Sequence, residues 1–499
     1  QEFTEVEPEV WMMTNEKLLA DLEIYEGTKF FGIFAHKTTS RTNFVINESK
    51  ETTFYTTGKP VEVLDSAKIQ SNDYWNEVRH DSLTQQEAGI IGMTDTIKNN
   101  KTFKFLESFV KMLGGGYYKV GPVEIGNLHS FVSFNKIEGF RMALSLQTSN
   151  SFSKVVELNG YGAYGFKDKN FKYGFRFRWN TTPKMRGMLS LYINSDLEQL
   201  GATNDLAKVG NTFGSLFSRG PIDRLTKVNK IGVNYEKDWL PGFTTSTTLE
   251  WKQYIPAGKI NYQKLEQDGT LKRINKLETA EVTMHLRYGK GEKYFSGVFN
   301  RTSLGAPKYP ILNLRYTLGV RGVFGSDYNY HKLELSMEHK PKLGSLGRLK
   351  YEVYGGKIFG TLPYPFLKVH EGNQSYYLQL KAFNNMRFFE FVSDAYVGLN
   401  LEYHLLGLVM DRIPGIRKLK WRLVAHTKMT WGTLSDKHAG EMLIPSTTYR
   451  FGNIPYAEVG IGIENIFKVI RIDAVWRVTH LDKPGATPFG VRARFQFDF

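Results

Sequence analysis

Phe489-Gly490-Val491-Arg492-Ala493-Arg494-Phe495-Gln496-Phe497-Asp498-Phe499 closes the sequence, and its alternation decides how the rest is read. In a β-strand, successive side chains point to opposite faces. Phe489, Val491, Ala493, Phe495, Phe497 and Phe499 then share one face, and Gly490, Arg492, Arg494, Gln496 and Asp498 the other. A soluble sheet rarely leaves such a strand as an uncovered edge, because an open ladder invites another chain. A barrel closes that edge against its own first strand.

The same period recurs upstream. Ile470, Ile472, Ala474, Trp476 and Val478 alternate with Arg471, Asp473, Val475, Arg477 and Thr479. Leu419, Trp421, Leu423 and Ala425 alternate with Lys420, Arg422, Val424 and His426. Val397, Leu399, Leu401 and Tyr403 alternate with Gly398, Asn400, Glu402 and His404. One face needs water and the other a greasy solvent. Strands of about ten residues fit a tilted membrane crossing, whereas those of soluble sandwiches are usually shorter.

Composition agrees. The 499 residues are 41% hydrophobic, with a mean hydropathy of −0.36. No apolar run reaches the roughly eighteen residues of a transmembrane helix, while a barrel wall hides its apolar residues at alternate positions. Aromatics make up 14%, with 27 Tyr and 35 Phe, enough for interfacial girdles. Gly is frequent and Cys is absent, which suits an oxidising compartment. The formal charge of +15 is interleaved along strands, so it reads as a polar lumen and basic loops rather than a nucleic-acid surface. The partners expected are outer-membrane lipids or lipopolysaccharide and other outer-membrane or periplasmic proteins. Gln1-Glu2-Phe3-Thr4 lacks the pattern of a signal peptide, so an exported chain has lost its signal or begins at an internal boundary.

Outer-membrane barrels alternate short periplasmic turns with longer outer loops. Walking back from the C-terminus, 481–487, 432–455, 361–391, 255–275 and 197–227 fall outside, and 407–416, 341–345, 237–242 and 180–184 inside. Only 291–308 is longer than its periplasmic side predicts. The walk ends with Phe140, Met142, Leu144 and Leu146 in strand two and His129–Asn135 as strand one. The expectation is an all-β membrane protein, a 16-stranded antiparallel transmembrane barrel over 126–499 in the Gram-negative outer membrane.

Residues 1–125 read as a small mixed α/β periplasmic segment. Thr84-Gln85-Gln86-Glu87 is a capping box that opens a helix through Ile97. A second helix is expected from Thr102 to Leu113, and strands over Phe30–Ala35 and Thr53–Val63.

No catalytic constellation stands out. Without Cys there is neither a thiolate nucleophile nor a zinc–thiolate site. The 11 His lack metal-ligand spacing, and no P-loop, G-x-S-x-G or dinucleotide fingerprint occurs in context. His370 beside Glu371 reads as an ordinary loop pair. No enzyme activity, cofactor or metal is expected.

Tyr456-Ala457-Glu458-Val459-Gly460-Ile461-Gly462-Ile463-Glu464, followed by Ile470-Arg471-Ile472-Asp473-Ala474, resembles late strands of the BamA/TamA assembly-factor superfamily. Leu399-Asn400-Leu401-Glu402-Tyr403 resembles another. The stretches Tyr74–His80, Lys357–Gly360 and Lys368–Asn373 look like an uncharacterised Bacteroidota outer-membrane family, in which a carboxypeptidase-regulatory-like domain precedes such a barrel. The resemblance implies a role in inserting or translocating proteins through a weak seam between first and last strands, here at Ser130, Ser133, Asn135, Gly490, Arg492 and Arg494. It makes Phe495, Phe497 and Phe499 a barrel-recognition signal. It also implies a lumen latch in outer loop six: Met386-Arg387-Phe388-Phe389 departs from the superfamily's V-R-G-F/Y, leaving Arg387 with Glu402, Glu458 or Asp473 as partners. No tandem POTRA repeats are visible. A pore and a structural subunit of a larger complex are the alternatives, and the aromatic loop 361–391 favours a plugged lumen over an open one.

Overall fold

The computed structural model describes residues 1–23, 32–52, 70–79, 82–100, 102–104, 116–182, 185–202, 210–220, 222–305 and 307–496. The chain divides into two compact units, Gln1–Val110 and Lys111–Phe499. The boundary expected at 125/126 therefore moves towards the N-terminus, because Tyr117–Val120 and Val123–Gly126 pair into the large sheet.

In the first unit, β1 (Glu2–Glu7), β2 (Val10–Glu23) and β3 (Gly32–Ser40) form an antiparallel meander. Two helices follow, α1 (Asn72–Val78) and α2 (Gln85–Asn99). The capping box is formed: Thr84 Oγ1 accepts from the Glu87 amide at 3.2 Å, and Glu87 returns a carboxylate to the Thr84 amide at 2.9 Å. The expected strand Thr53–Val63 and most of the helix Thr102–Leu113 lie outside the described residues.

The second unit is one large antiparallel sheet. It begins with β4 (Tyr117–Val120), β5 (Val123–Gly126), β6 (Val132–Asn135), β7 (Gly139–Thr148), β8 (Val156–Gly165) and β9 (Asn170–Thr182). It continues through β10 (Gly187–Glu198), β11 (Arg224–Leu240), β12 (Phe243–Gly258), β13 (Leu277–Gly289), β14 (Ile311–Gly319) and β15 (Tyr330–His339). It ends with β16 (Arg348–Phe359), β17 (Ala395–Leu406), β18 (Arg422–Thr433), β19 (Tyr456–Ile466), β20 (Ile470–Arg477) and β21 (Phe489–Phe495). From β7 onward each strand pairs with its sequence neighbour. The expected first strand is different: Leu128–Ser130 is a 3-10 turn, and β5 and β6 both pair with β7 on either side of it. Gly126, Asn127 and Ser130 are poor strand formers, which explains the break.

The sheet is inside out relative to a soluble protein. On β20, Arg471, Asp473, Val475 and Arg477 are buried while Ile472 and Trp476 are exposed. On β18, His426, Lys428 and Thr430 are buried and Met429 and Trp431 exposed. Exposed apolar side chains in such continuous rows mark a surface that another apolar phase covers. No described helix is long and apolar enough to cross a membrane. Long connections, 199–223, 259–276, 360–394 and 434–455, leave one end of the sheet. Short ones, 183–186, 241–242 and 467–469, leave the other, together with 340–347, 407–421 and the long 290–310.

Candidate functional site

The connection 360–394 folds back onto the polar face of the sheet. Its aromatic and aliphatic residues are the reason: Leu362, Tyr364, Phe366, Leu367, Val369 and Phe389 form a buried cluster with Ile260, Tyr330 and Met442, and Phe388 packs against it. A second cluster joins Phe383, Met386 and Phe391 to Phe451 and Tyr456. Phe391 stacks on Phe451 with ring centroids 4.4 Å apart. A segment carrying this much apolar area is driven out of water, and the polar face receives it because its charges meet the loop's own backbone.

Those charges come from the last four strands. Glu458 of β19 accepts from the amides of Asn384 and Asn385 at 2.7 and 2.6 Å, and from the Tyr456 hydroxyl at 2.6 Å. Lys428 of β18 donates to the carbonyls of Gln379 and Ala382 at 2.7 and 2.5 Å. Arg492 of β21 donates to the Asn384 carbonyl at 2.8 Å and the Asn385 side chain at 2.7 Å. Asn385 Nδ2 donates to the Val475 carbonyl at 2.9 Å, and Arg477 Nη1 lies 2.8 Å from Glu390 Oε1 with both side chains fully buried. His370 is enclosed by the loop, its Nε2 3.0 Å from Ser393 Oγ and its ring edge-on to Phe451. Burial, with the nearby Lys368 charge, holds its pKa well below the ordinary value and keeps it neutral.

The latch expected at Arg387 is elsewhere. Arg387 makes no ion pair with the sheet: its amide donates to Glu390 Oε2 at 2.8 Å, its Nε is 3.8 Å from the same oxygen, and its guanidinium lies against Gly485 of the 478–488 connection. Of its three expected partners only Glu458 touches the loop, and it holds main-chain amides rather than a guanidinium. Glu402 and Asp473 belong to a separate network on the polar face. Arg471 reaches Glu402 at 2.8 Å and Asp473 at 2.7 Å, and His404 lies 2.9 Å from Glu402 and 3.0 Å from Glu464. His426 Nε2 lies 3.0 Å from Asp473, in space left by Gly460 and Gly462, where a Cβ would fall 2.2 Å from the imidazole and 2.4 Å from the carboxylate. The docking charges thus sit on the wall: it supplies the cations Lys428, Arg477 and Arg492 and the carboxylate of Glu458, and the loop supplies amides, carbonyls, Asn side chains and Glu390.

The expected seam is also built differently. Among the described residues no register pairs β6 with β21. At Ala493 the edge of β21 that faces away from β20 binds the loop: Leu378 donates its amide to the Ala493 carbonyl at 2.8 Å, and the Ala493 amide donates to Tyr376 at 3.0 Å. The next layer is Phe217–Arg219, with the Tyr376 amide on the Phe217 carbonyl at 2.6 Å and the Arg219 amide on Gln374 at 2.8 Å. α3 (Thr212–Leu216) then reaches β6, where Ser215 Oγ accepts from the Phe134 amide at 2.8 Å. Of the seam residues, Arg492 turns to the docked loop and Arg494 lies over the Tyr377 ring at 5.6 Å. Gly490 sits opposite Val475 in the β20–β21 ladder. Ser133 is buried, Asn135 donates to Glu138 at 2.6 Å, and Ser130 lies in the 3-10 turn. Phe495 is exposed on the apolar face, while Phe497 and Phe499 lie outside the described residues.

At the opposite end, the overlong connection 290–310 has an explanation. Tyr294–Ser296 and Arg301–Ser303 form a hairpin that crosses to β9 and β11. Arg301 Nη1 bonds Asp238 of β11 at 2.8 and 2.9 Å, and Arg178 of β9 donates to the Phe299 carbonyl at 3.2 Å and to Asn300 at 2.9 Å. Among the described residues no group of three or more His, Asp or Glu is placed to hold a metal.

Fold and site together define an all-β protein whose large antiparallel sheet buries its charged face and exposes its apolar one. Over residues 110–439 the sequence matches the family described as "Family of unknown function (DUF5686) C-terminal domain", and the chain belongs to that family. No curated protein matches it in sequence. Among solved structures, BamA from Haemophilus ducreyi lacking POTRA domains 1–3 is 9% identical, with a TM-score of 0.46, over 96% of this chain and 90% of that one. CdiB from Acinetobacter baumannii is 12% identical, with a TM-score of 0.36, over 72% of this chain and 57% of its own. OccK11 from Pseudomonas aeruginosa is 8% identical, with a TM-score of 0.28, over 71% and 88%.

Proposed function

We propose that the protein is an outer-membrane β-barrel that moves or inserts polypeptides, with loop 361–391 as a lumen plug and the first unit on the periplasmic side. Counting β5 and β6 as one broken crossing, and the four-residue β4 as the arm of a hairpin that leads into it, gives sixteen crossings, and a strand order in which β21 is followed by β4 supports closure. The apolar face then meets lipid, and the polar face lines the lumen.

The observation that carries the reading is the double engagement of one loop. Residues 383–390 are held by Glu458, Arg492 and Arg477 inside the wall, and residues 376–378 pair with the edge of β21. A loop that fills the lumen and also completes the wall couples the two: undocking it frees a path through the barrel and a strand edge beside it.

The chain has no Cys, so a Tyr377→Cys/Ala493→Cys pair tests it directly. Oxidation is expected to deplete proteins of the outer membrane or cell surface while the folded barrel persists, with recovery on reduction. Unimpaired assembly and export with the locked protein would leave a static scaffold as the account.

A further inference from the structure

The connection 407–421 between β17 and β18 has an unusual composition for a turn. In Val409-Met410-Asp411-Arg412-Ile413-Pro414-Gly415-Ile416-Arg417-Lys418-Leu419-Lys420, four cations face a single carboxylate. Val409, Ile413 and Leu419 are nonetheless exposed, as are Leu343 and Leu346 on the neighbouring turn. Between the two turns lies a pocket of about 630 Å³ whose charged lining is Lys342, Arg348, Arg417, Lys420 and Arg422 against Asp411 alone.

Arg348 and Lys420 have interactions of their own, but Lys342, Arg417 and Arg422 add three more cations to one small space, and a phosphate accepts several guanidinium and ammonium donors at once. An acidic protein segment would meet the charges but leave the leucines in water. A lipid interface meets both demands: aliphatic side chains enter the acyl boundary while cations reach the headgroups. The position fits. The two turns cap strands β15 to β18, whose exposed Leu335, Val353, Val397 and Met429 belong to the apolar band. The end of that band is where headgroups stand.

We propose that this pocket binds the phosphate-bearing headgroup of an anionic phospholipid in the leaflet at the short-turn end of the barrel. The inference rests on the membrane placement above, and not on any role in moving polypeptides. It makes the β15–β18 side of the barrel a lipid-anchored side.

The test places the full chain in phosphatidylcholine nanodiscs containing spin-labelled phosphatidylglycerol, with heat-modifiable gel migration as the check on folding. Phosphatidylglycerol is expected to be enriched around the protein. Arg417→Gln and Arg422→Gln are each expected to lower the enrichment about fivefold. Ile413→Ser/Leu419→Ser, which keeps every cation, should lower it as well. Equal association of wild type and the charge variants overturns the site. Displacement by millimolar inorganic phosphate makes it a free-anion pocket, and displacement by a poly-glutamate peptide makes it a protein-docking site; either result overturns the lipid assignment. A chain that never enters the nanodisc defeats the membrane reading itself, whereas one that enters without enrichment defeats only this inference.

Discussion

Two connections fold back onto the same polar face from opposite ends, and they are held in different ways. Loop 361–391 is held by fully buried groups: Glu458 and Arg477 have no exposed side-chain surface, and aromatic clusters flank them. The hairpin in 290–310 is held by an ion pair that keeps contact with water, with Arg301 16% and Asp238 25% exposed. Low dielectric strengthens the first set and makes any unpaired member costly. Solvent screens the second. The loop should therefore move rarely and all at once, and the hairpin often and alone.

Glu458→Ala attacks the stronger side. It strands two loop amides and the Tyr456 hydroxyl in a buried site, at a cost of about 3–5 kcal/mol. The loop should undock, so conductance in planar bilayers rises and protease cleaves within 361–391. A silent, protease-resistant variant would mean that apolar packing alone holds the loop, and that the two connections differ only in hydrophobic area.

Acid attacks the same side more gently. The buried His370 has its pKa depressed below the ordinary 6.5, so the undocked loop binds a proton more readily than the docked one. Docking is thus at full strength above pH 6.5 and weakens as pH falls below it, by up to about 1.4 kcal/mol per unit until the docked form also titrates. Open events should become more frequent between pH 6.5 and 5.5. His370→Asn should flatten that slope, and a slope unchanged in the variant would assign the acid response to another group.

Arg301→Ala sharpens the comparison from the weaker side. Losing a half-screened pair costs about 1 kcal/mol or less. Amide exchange should accelerate in 294–303 while protection of 361–391 stays as it was. If both segments exchange faster together, the two connections are one cooperative unit and the contrast between them is false.

How much of this was legible in the sequence follows from range. The alternation in β20 and β21 is a local signal, repeated strand after strand, and one residue of slip would invert it. The length of 291–308 was legible as an anomaly, but its partners Asp238 and Arg178 lie far away in the chain. Glu458 looked like any inward acid. What it binds are main-chain amides, which have no sequence signature, and only the tandem Asn384-Asn385 beside aromatic residues hinted at a docked turn. The broken first strand carried a readable signal in Gly126, Asn127 and Ser130, and the alternation on either side hid it.

Arg387 is the smallest and most informative case. Analogy with a loop-six motif made it the latch, yet its Nε lies 3.8 Å from Glu390 and it retains 27% exposure. Arg387→Ala leaves Glu390 its buried partner Arg477, and leaves the Glu458, Lys428 and Arg492 bonds intact. The expected effect is under about 0.5 kcal/mol, with conductance unchanged beside the large rise for Glu458→Ala. Equal leakage from the two variants would return a share of the latch to the guanidinium and remove Glu458 as the principal anchor. A difference between them shows that this barrel grips its loop from the wall side, by the backbone of residues 384 and 385.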